Sequence, residues 1–391
     1  MNLEEKKLIV VTHQMVYGAP QALKDYLIQK NTQELVFIGL PFHEQRMVFF
    51  EIYKKKKKIF SKIFSRKFSY GFLDYILDFL TVFYLILKQN HKYDFFFGVD
   101  GLNCLVGLFL KKMKKVNHVV FYSIDFVPIR FKNVILNYIF HTIEKICVNK
   151  SDLVWNVSPR IAEGREQFLQ IPNDPARQIV VPIGVWNKNI IKRDFKDVKR
   201  HQLLFVGHLI EKQGVQLVLD AIPEIIEKIP DFKFVIAGGG EYEKILREKI
   251  KKLRIEKYAY ITGWIRERKK LDDMMSESAC AIAAYKPEKE KLYNFTYYSD
   301  PTKLKDYLGA GLPIILTNVP FNAEKIQSNN CGIIISYSKD NIVRAIIELM
   351  GDTEKLKKFR LNTLEMAKEF EWSKIFDKAF KESELLQHKV S

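Results

Sequence analysis

Residues 298–313 read Tyr298-Ser299-Asp300-Pro301-Thr302-Lys303-Leu304-Lys305-Asp306-Tyr307-Leu308-Gly309-Ala310-Gly311-Leu312-Pro313. Asp300 before Pro301 suits an N-cap followed by the first helical position: an aspartate oxygen accepts an orphan N–H, and proline has none to lose. The spacing predicts a helix over 303–310, stopped by Gly311 and Pro313 and followed by a strand at 314–317. Thr302, Lys303 and Leu304 would offer first-turn N–H groups to an anion, with the lysine ammonium as phosphate partner. Asp306, one turn further on, is placed to accept hydrogen bonds from a ribose. A well-capped helix with a solvated acid is the plain alternative.

The same grammar extends outward. A predicted strand at 202–206 runs into Gly207-His208-Leu209-Ile210-Glu211-Lys212-Gln213-Gly214 and a helix at 215–228. Gly238-Gly239-Gly240-Glu241 follows a strand at 233–237, and Gly263-Trp264 follows one at 259–262. Glycine after a strand lets a ligand approach the backbone, and Lys212 adds a cation to the first of these turns. None is G-x-G-x-x-G, so a dinucleotide fingerprint is not supported. Each turn alone is equally a tight βα loop.

Short β-branched runs alternate with amphipathic stretches along the whole chain, the mark of parallel sheets covered by helices. In the first half strands are expected at 7–12, 34–38, 95–99, 118–122, 153–156 and 178–181, with helices at 19–29, 73–88, 102–114 and 131–149. The rhythm stops near 182–188, where a hinge is placed. Beyond it, helices at 241–253 and 271–278 and a strand at 280–283 continue the pattern, and two helices are expected to close the chain. With 391 residues and ~100–200 per domain, a single small core is excluded. Ligands of such open sheets sit beyond the carboxyl ends of the strands.

A hydrophobic content of 47% excludes a disordered chain, and a net charge of +17 points to phosphates of some kind. The four cysteines are far apart with no C-x-x-C, against a zinc site or disulfide framework and in favour of a reducing compartment. The N-terminus does not read as a signal peptide, and the apolar run at 79–87 is about half of the ~18 residues a membrane span needs.

The order Gly207-His208-Leu209 to Gly214, then Gly238-Gly239-Gly240-Glu241, Thr262-Gly263-Trp264 and Asp300-Pro301-Thr302-Lys303 to Pro313 resembles the C-terminal half of GT-B glycosyltransferases, particularly retaining family 4. A weaker likeness covers the rest: a glycine loop after the first strand, a Val181-Pro182-Ile183-Gly184 linker and a closing helix. The resemblance implies an α/β fold of two Rossmann-like domains facing a central cleft. Residues 1–183, with a closing helix at about 371–391 crossing back to them, would form the acceptor side, and 184–370 would bind the nucleotide sugar. In the family an arginine and a lysine of the first C-domain turn hold the donor pyrophosphate; here those positions are His208 and Gln213, with Lys212 shifted by one. Of the E-x7-E pair, the second glutamate falls on Asp306 and the first on Tyr298. Lys303 is then expected to carry more of the phosphate charge. The donor-binding set is Gly18, Gly207, His208, Lys212, Gly240, Gly263, Trp264, Asp300, Thr302, Leu304 and Asp306. No metal or other cofactor is expected; there is no D-x-D in a loop after a strand, and Asp272-Asp273 falls in a predicted helix.

On the acceptor side, Thr12-His13-Gln14-Met15-Val16-Tyr17-Gly18-Ala19-Pro20 follows the first strand and resembles the family's glycine loop. His13 there is a ligand contact or a polar loop residue. Asp125, after the strand at 118–122, would orient or deprotonate an acceptor hydroxyl, or else cap the next turn. With Lys303, these two are the candidate catalytic residues. His118, at the opposite strand end, reads as structural. Residues 54–68 are expected to form a basic amphipathic helix with Ile59, Phe60, Ile63, Phe64 and Phe68 on one face, suited to an anionic bilayer or simply packed on its own domain.

The implied function is sugar transfer from a nucleotide-diphosphate sugar to a saccharide or lipid-linked acceptor, in the cytoplasm or at the cytoplasmic membrane face. No nucleic-acid motif is present, and no hydrolase-type carboxylate pair is identifiable. The alternatives are a nucleotide-sugar epimerase of the same fold and a non-catalytic basic binding protein on this scaffold.

Overall fold

The computed structural model describes residues 2–13, 17–41, 46–65, 72–288 and 292–390. Along the chain come β1 (Lys7–Thr12), α1 (Ala19–Gln29), β2 (Glu34–Gly39), β3 (Met47–Lys54), β4 (Lys57–Ser65), α2 (Phe72–Leu87), β5 (Tyr93–Val99), α3 (Gly101–Lys112), β6 (Val116–Ser123), α4 (Val134–Lys150), β7 (Leu153–Asn156), α5 (Pro159–Leu169) and β8 (Gln178–Val180). There follow β9 (Lys199–Val206), α6 (Val215–Lys228), β10 (Lys233–Ala237), α7 (Glu243–Lys252), β11 (Ala259–Gly263), α8 (Arg268–Glu277), β12 (Ser278–Ala283) and α9 (Phe295–Tyr298). The chain ends with α10 (Thr302–Gly309), β13 (Ile314–Thr317), α11 (Ala323–Ser328), β14 (Gly332–Ile335), α12 (Lys339–Gly351), α13 (Thr353–Ala367) and α14 (Trp372–Val390).

It divides into two compact units. The first holds Met1–Ile183, Leu292–Asp300 and Trp372–Ser391; the second holds Gly184–Lys291 and Pro301–Glu371. In the first, the described strands order β4-β3-β2-β1-β5-β6-β7-β8; in the second, β11-β10-β9-β12-β13-β14. Apart from the antiparallel β2-β3 and β3-β4 pairs, neighbouring strands are parallel. Their central members carry apolar side chains on both faces, as parallel strands between helical layers must. Ile9, Val11, Val36, Phe96 and Val119 are buried in the first unit, and Leu203, Phe205, Phe234, Ile236 and Ile282 in the second. The closing helix α14 lies on the first unit: Phe380 packs edge-on to Trp155 at 5.3 Å, and the Trp155 indole donates to Ser383 Oγ at 3.1 Å.

Four expectations are corrected. Residues 57–65 form β4, the outer strand of a hairpin with β3, and not a basic helix; Arg66, Lys67 and Phe68 lie outside the described residues. The segment Lys57-Lys58-Ile59-Phe60-Ser61-Lys62-Ile63-Phe64-Ser65 fits a period of two as well as one of 3.6, and pairing with β3 decides. Phe60 meets Phe50 edge-on at 5.6 Å, Phe64 packs on the core, and the outer edge carries lysines, which discourage pairing with another chain. Asp300 does not cap the helix of the 298–313 segment; Pro301 is the N-cap residue, without a side-chain cap, and Asp300 Oδ2 instead accepts the Ile183 N–H at 2.9 Å. The chain closes with α12, α13 and α14 after an additional strand β14, not with two helices. The helix α5, not expected from the sequence, begins at Pro159 and is capped by Ser158, whose hydroxyl accepts the Arg160 N–H at 3.1 Å.

Candidate functional site

In each sheet the strand order reverses beside the first strand of the unit: between β1 and β5, and between β9 and β12. Crossovers leave a crevice outside the carboxyl ends at such a point. Both polar clusters of interest lie there.

In the second unit, β9 is followed by Gly207, whose φ is +146°, a value that L side chains seldom adopt. A Cβ at this position would stand 2.6 Å from Lys303 Nζ, so glycine leaves the space that the ammonium occupies. Lys303 reaches over from the first turn of α10, donates to Gln213 Oε1 at 2.7 Å, and lies 4.3 Å from the Phe205 ring centroid and 5.5 Å from that of Tyr285. No acidic group pairs with it among the described residues. Removal of water by these neighbours lowers the Lys303 pKa to about 7. The cation is therefore underpaired and poised for an anion.

One turn along α10, Asp306 Oδ1 accepts from Arg268 Nη2 at 2.8 Å, while Arg268 Nε donates to Asp272 Oδ1 at 2.8 Å. Burial raises the Asp306 pKa, and the guanidinium opposes this only in part. Positions i and i+3 share a helix face, so Lys303 and Asp306 present a cation and an acceptor in register. Thr302 opens α10 and is exposed, whereas Leu304 is buried in the core and its N–H bonds to the Pro301 carbonyl at 3.2 Å. Tyr307, behind them, accepts the Val206 N–H on its hydroxyl at 2.7 Å and fixes the helix to the end of β9.

The other donor-side candidates form a rim. His208 lies 3.2 Å from Glu241 and 5.9 Å, ring to ring, from Trp264, which is 62% exposed. Gly240 has φ +159°, and a Cβ there would stand 2.4 Å from the Leu209 carbonyl, so the third glycine of that turn is a packing requirement. Gly263 has φ +72° in the turn before Trp264. Lys212 pairs with Glu288. Asp300 and Tyr298 belong to the first unit, where Tyr298 is buried edge-on to Phe126 at 5.1 Å.

In the first unit, His13 follows β1 and Asp100 follows β5. His13 Nδ1–H donates to Asp100 Oδ2 at 2.7 Å, and Nε2–H donates to Asp78 Oδ2, on α2, at 3.2 Å. Burial alone would lower the His13 pKa, but the two carboxylates outweigh it and hold the imidazolium at about 10. Asp100 also caps α3 by accepting the Asn103 N–H at 3.0 Å, and its φ of +81° is unusual outside glycine. Gly18 starts α1 on this side, with its N–H bonded to Gln21 Oε1 at 2.9 Å; Gln14, Met15 and Val16 lie outside the described residues. Asp125 follows β6 and accepts from Arg130 Nη1 at 2.6 Å. The Arg130 guanidinium is sandwiched between Phe140 and Phe295 at 5.4 and 5.3 Å, and feels Asp100 and Tyr75 as well as Asp125. His118 stacks on Phe95 at 5.1 Å, at the opposite end of β6.

Gln213 and Tyr298 stand out in the sequence only as departures from a pattern; the structure gives Gln213 a position beside Lys303. Arg268, Asp78 and Arg130 were missed. Asp100 was missed as well, although it follows a predicted strand just as His13 does, a signal that could have found it. Nothing in the sequence marks Arg268.

Two units with these sheet orders make up the GT-B fold. Residues 187–366 match the family described as glycosyl transferases group 1, and the resemblance read from the sequence is borne out. Among curated proteins, the chain is 21% identical over 166 residues to the GDP-mannose-dependent alpha-(1-6)-phosphatidylinositol monomannoside mannosyltransferase of Mycobacterium tuberculosis, covering 42% of each. It is 26% identical over 166 residues to the GtfA subunit of the UDP-N-acetylglucosamine–peptide N-acetylglucosaminyltransferase of Streptococcus agalactiae, covering 42% of this chain and 30% of that one. The match thus spans less than half the length of these relatives. Among solved structures, sucrose-phosphate synthase from Thermosynechococcus elongatus superposes with a TM-score of 0.72 at 11% identity, over 98% of this chain and 100% of that one. HepE of Anabaena, in complex with UDP and glucose, superposes at 0.68 and 12% identity, over 96% and 99%. At such identities the likeness is one of fold.

Proposed function

We propose that this chain transfers a sugar from a nucleotide-diphosphate donor to a saccharide or lipid-linked acceptor, with retention of configuration. The observation that carries the reading is Lys303: a half-buried cation in the first turn of α10, beside the glycine that follows β9 and held, among the described residues, by a neutral amide and two rings. As the glycosidic bond to the donor breaks, negative charge grows on the leaving diphosphate. A preorganised ammonium and first-turn N–H groups stabilise that charge more than the ground state. Asp306, steadied by Arg268, accepts from the ribose. Trp264 and His208 offer ring surfaces at the rim, and the backbone at Gly207 and Gly240 allows close approach. Asp125, oriented by Arg130, accepts from the acceptor hydroxyl. His13 orders the acceptor side as a fixed imidazolium clasped by Asp78 and Asp100, because both ring nitrogens are committed.

With Lys303 and helix N–H groups meeting the diphosphate charge, transfer proceeds without a divalent metal on this reading. The described residues contain no cluster of three or more His, Cys, Asp or Glu side chains able to hold one. Four free, buried thiols suit a reducing, cytoplasmic setting, and no helix of the described residues is long and apolar enough to cross a membrane. The test is product formation from a panel of nucleotide sugars, with and without soluble and lipid-linked saccharides, in EDTA and with manganese or magnesium. Transfer to an added saccharide supports the reading. Donor conversion that needs no acceptor, or no turnover with any donor, would replace it with the epimerase or the non-catalytic alternative.

A further inference from the structure

Three neighbouring helices of the first unit turn apolar side chains outward. On α2, Leu73, Ile76, Leu77, Leu80 and Tyr84 follow one helical stripe, and all are exposed, Leu80 at 53% and Tyr84 at 55%. On α4, Val134, Ile135, Tyr138 and Ile139 do the same, with Val134 81%, Ile135 69% and Tyr138 73% exposed. The helix α3 packs against both, meeting α2 through an edge-on Phe79–Phe109 pair at 5.5 Å, and adds exposed Phe109 and Met113 between them. A surface helix of a globular protein buries its apolar stripe. Here much of it faces solvent on three helices packed side by side, more than scattered surface leucines would give.

Charge decides what such a face meets. Between residues 72 and 151, Lys88, Lys112, Lys114, Lys132, Lys145 and Lys150 are exposed, whereas every acidic residue is buried or half-buried. An apolar face with lysines and no exposed acid matches an anionic bilayer, which accepts aliphatic and aromatic side chains at head-group depth and attracts cations around them. A second copy of the same face would be repelled by its own lysines. Nucleic acid has no use for exposed isoleucine and valine at this density.

We propose that the outward faces of α2, α3 and α4 form the surface by which this chain docks onto an anionic lipid bilayer. This moves the membrane contact away from the lysine-rich hairpin β3-β4. It also deepens the acceptor side of the proposed function. Arg130, the partner of Asp125, donates its backbone N–H to Asn137 Oδ1 on α4 at 2.8 Å, next to exposed Tyr138, so the apolar face borders the polar cluster. A lipid-linked saccharide would be met at that border with its tail still in the bilayer.

The test is flotation of the full chain with vesicles of phosphatidylcholine alone and of phosphatidylcholine with phosphatidylglycerol. The unaltered chain should float with the anionic vesicles and not the neutral ones, less so at high salt. Ile135→Ser/Tyr138→Ser and Leu80→Ser/Tyr84→Ser should each lower the partition coefficient about tenfold, and Lys132→Gln/Lys145→Gln should lower it without abolishing it. All six residues are exposed, and an unchanged circular dichroism spectrum and UDP-induced thermal shift would show the fold and the second unit intact. Flotation with neither vesicle, equal flotation with both, or serine variants that float like the unaltered chain would overturn the proposal. So would self-association that the serine variants abolish, which assigns the face to a second copy. Turnover on a soluble acceptor reports separately on the transferase reading, so the two can fail independently.

Discussion

Lys303 Nζ stands 2.7 Å from the side-chain carbonyl of Gln213, a neutral partner for a cation that has no carboxylate beside it among the described residues. The amide orients the ammonium without neutralising it. Replacing Lys303 with alanine should therefore cost about 2–4 kcal/mol of transition-state stabilisation, the range for a lost preorganised charge contact. Steady-state kcat/KM with the productive donor checks this. A near-normal value would take Lys303 out of the donor site.

The lowered Lys303 pKa, about 7, gives a pH signature. A diphosphate binds the charged form, so nucleoside diphosphate affinity should weaken as pH rises through 7, and binding at pH 8 should take up a proton. Calorimetry in buffers of different ionisation enthalpy measures that uptake. Stability runs the other way: between pH 7 and the ordinary lysine value the unfolded chain binds the extra proton, so the folding penalty is full below pH 7 and fades as pH rises. Lys303→Met should accordingly raise Tm more at pH 6 than at pH 9. An equal rise at both would contradict the lowered pKa.

Arg268 and Asp306 form the second pair proposed for the donor site. Asp306→Asn weakens a contact present in ground and transition states alike, so it should raise the donor KM more than it lowers kcat. Arg268→Ala should shift KM in the same direction by releasing Asp306. Collapse of kcat at unchanged donor affinity would exclude the ribose role.

His13 should remain an imidazolium throughout the physiological range, its raised pKa reflecting two carboxylate partners that overcome burial. Its ring resonances should not titrate between pH 6 and 8 by NMR. The stabilisation it gives is fully present below the unfolded value, ~6.5, and is lost as pH rises through about 10. His13→Gln should thus lower Tm more at pH 6 than at pH 10. A resonance moving with a midpoint near 6.5 would dissolve the clasp.

The hairpin turn places Lys55 and Lys56 at φ +43° and +69°, values that favour Asn-Gly. Changing the pair to Asn-Gly should relieve the left-handed strain and stabilise the first unit by about 1 kcal/mol, read as a shift in denaturant midpoint. No change, or a loss, would mean that the lysines serve the turn in some other way.

Much of the architecture was legible because apolar periodicity and turn chemistry are local. The bounds 19–29, 215–228, 233–237 and 314–317 agree with α1, α6, β10 and β13. The hairpin was not. Its outer strand alternates lysine, isoleucine, phenylalanine and serine in a way compatible with either period, and only the Phe50–Phe60 and Phe64 contacts settle which one is used. Asp300 misled for a related reason. Its side chain has two available partners, the α10 N–H groups just ahead and the Ile183 N–H, which lies more than a hundred positions back in the chain. A local rule sees only the first.

The sequence by itself determined the parallel α/β class and pointed to the strand ends and to Lys303 as the cation proposed for the donor side, since each follows from residue types a few positions apart. Tertiary structure alone decided which charges meet: Arg268 with Asp306, Arg130 with Asp125, and His13 between Asp78 and Asp100. It also decided that the apolar stripes of α2 and α4 face outward. Pairings and exposure depend on strand order and helix packing, which join residues tens of positions apart, and an electrostatic field depends on distance through space and not along the chain.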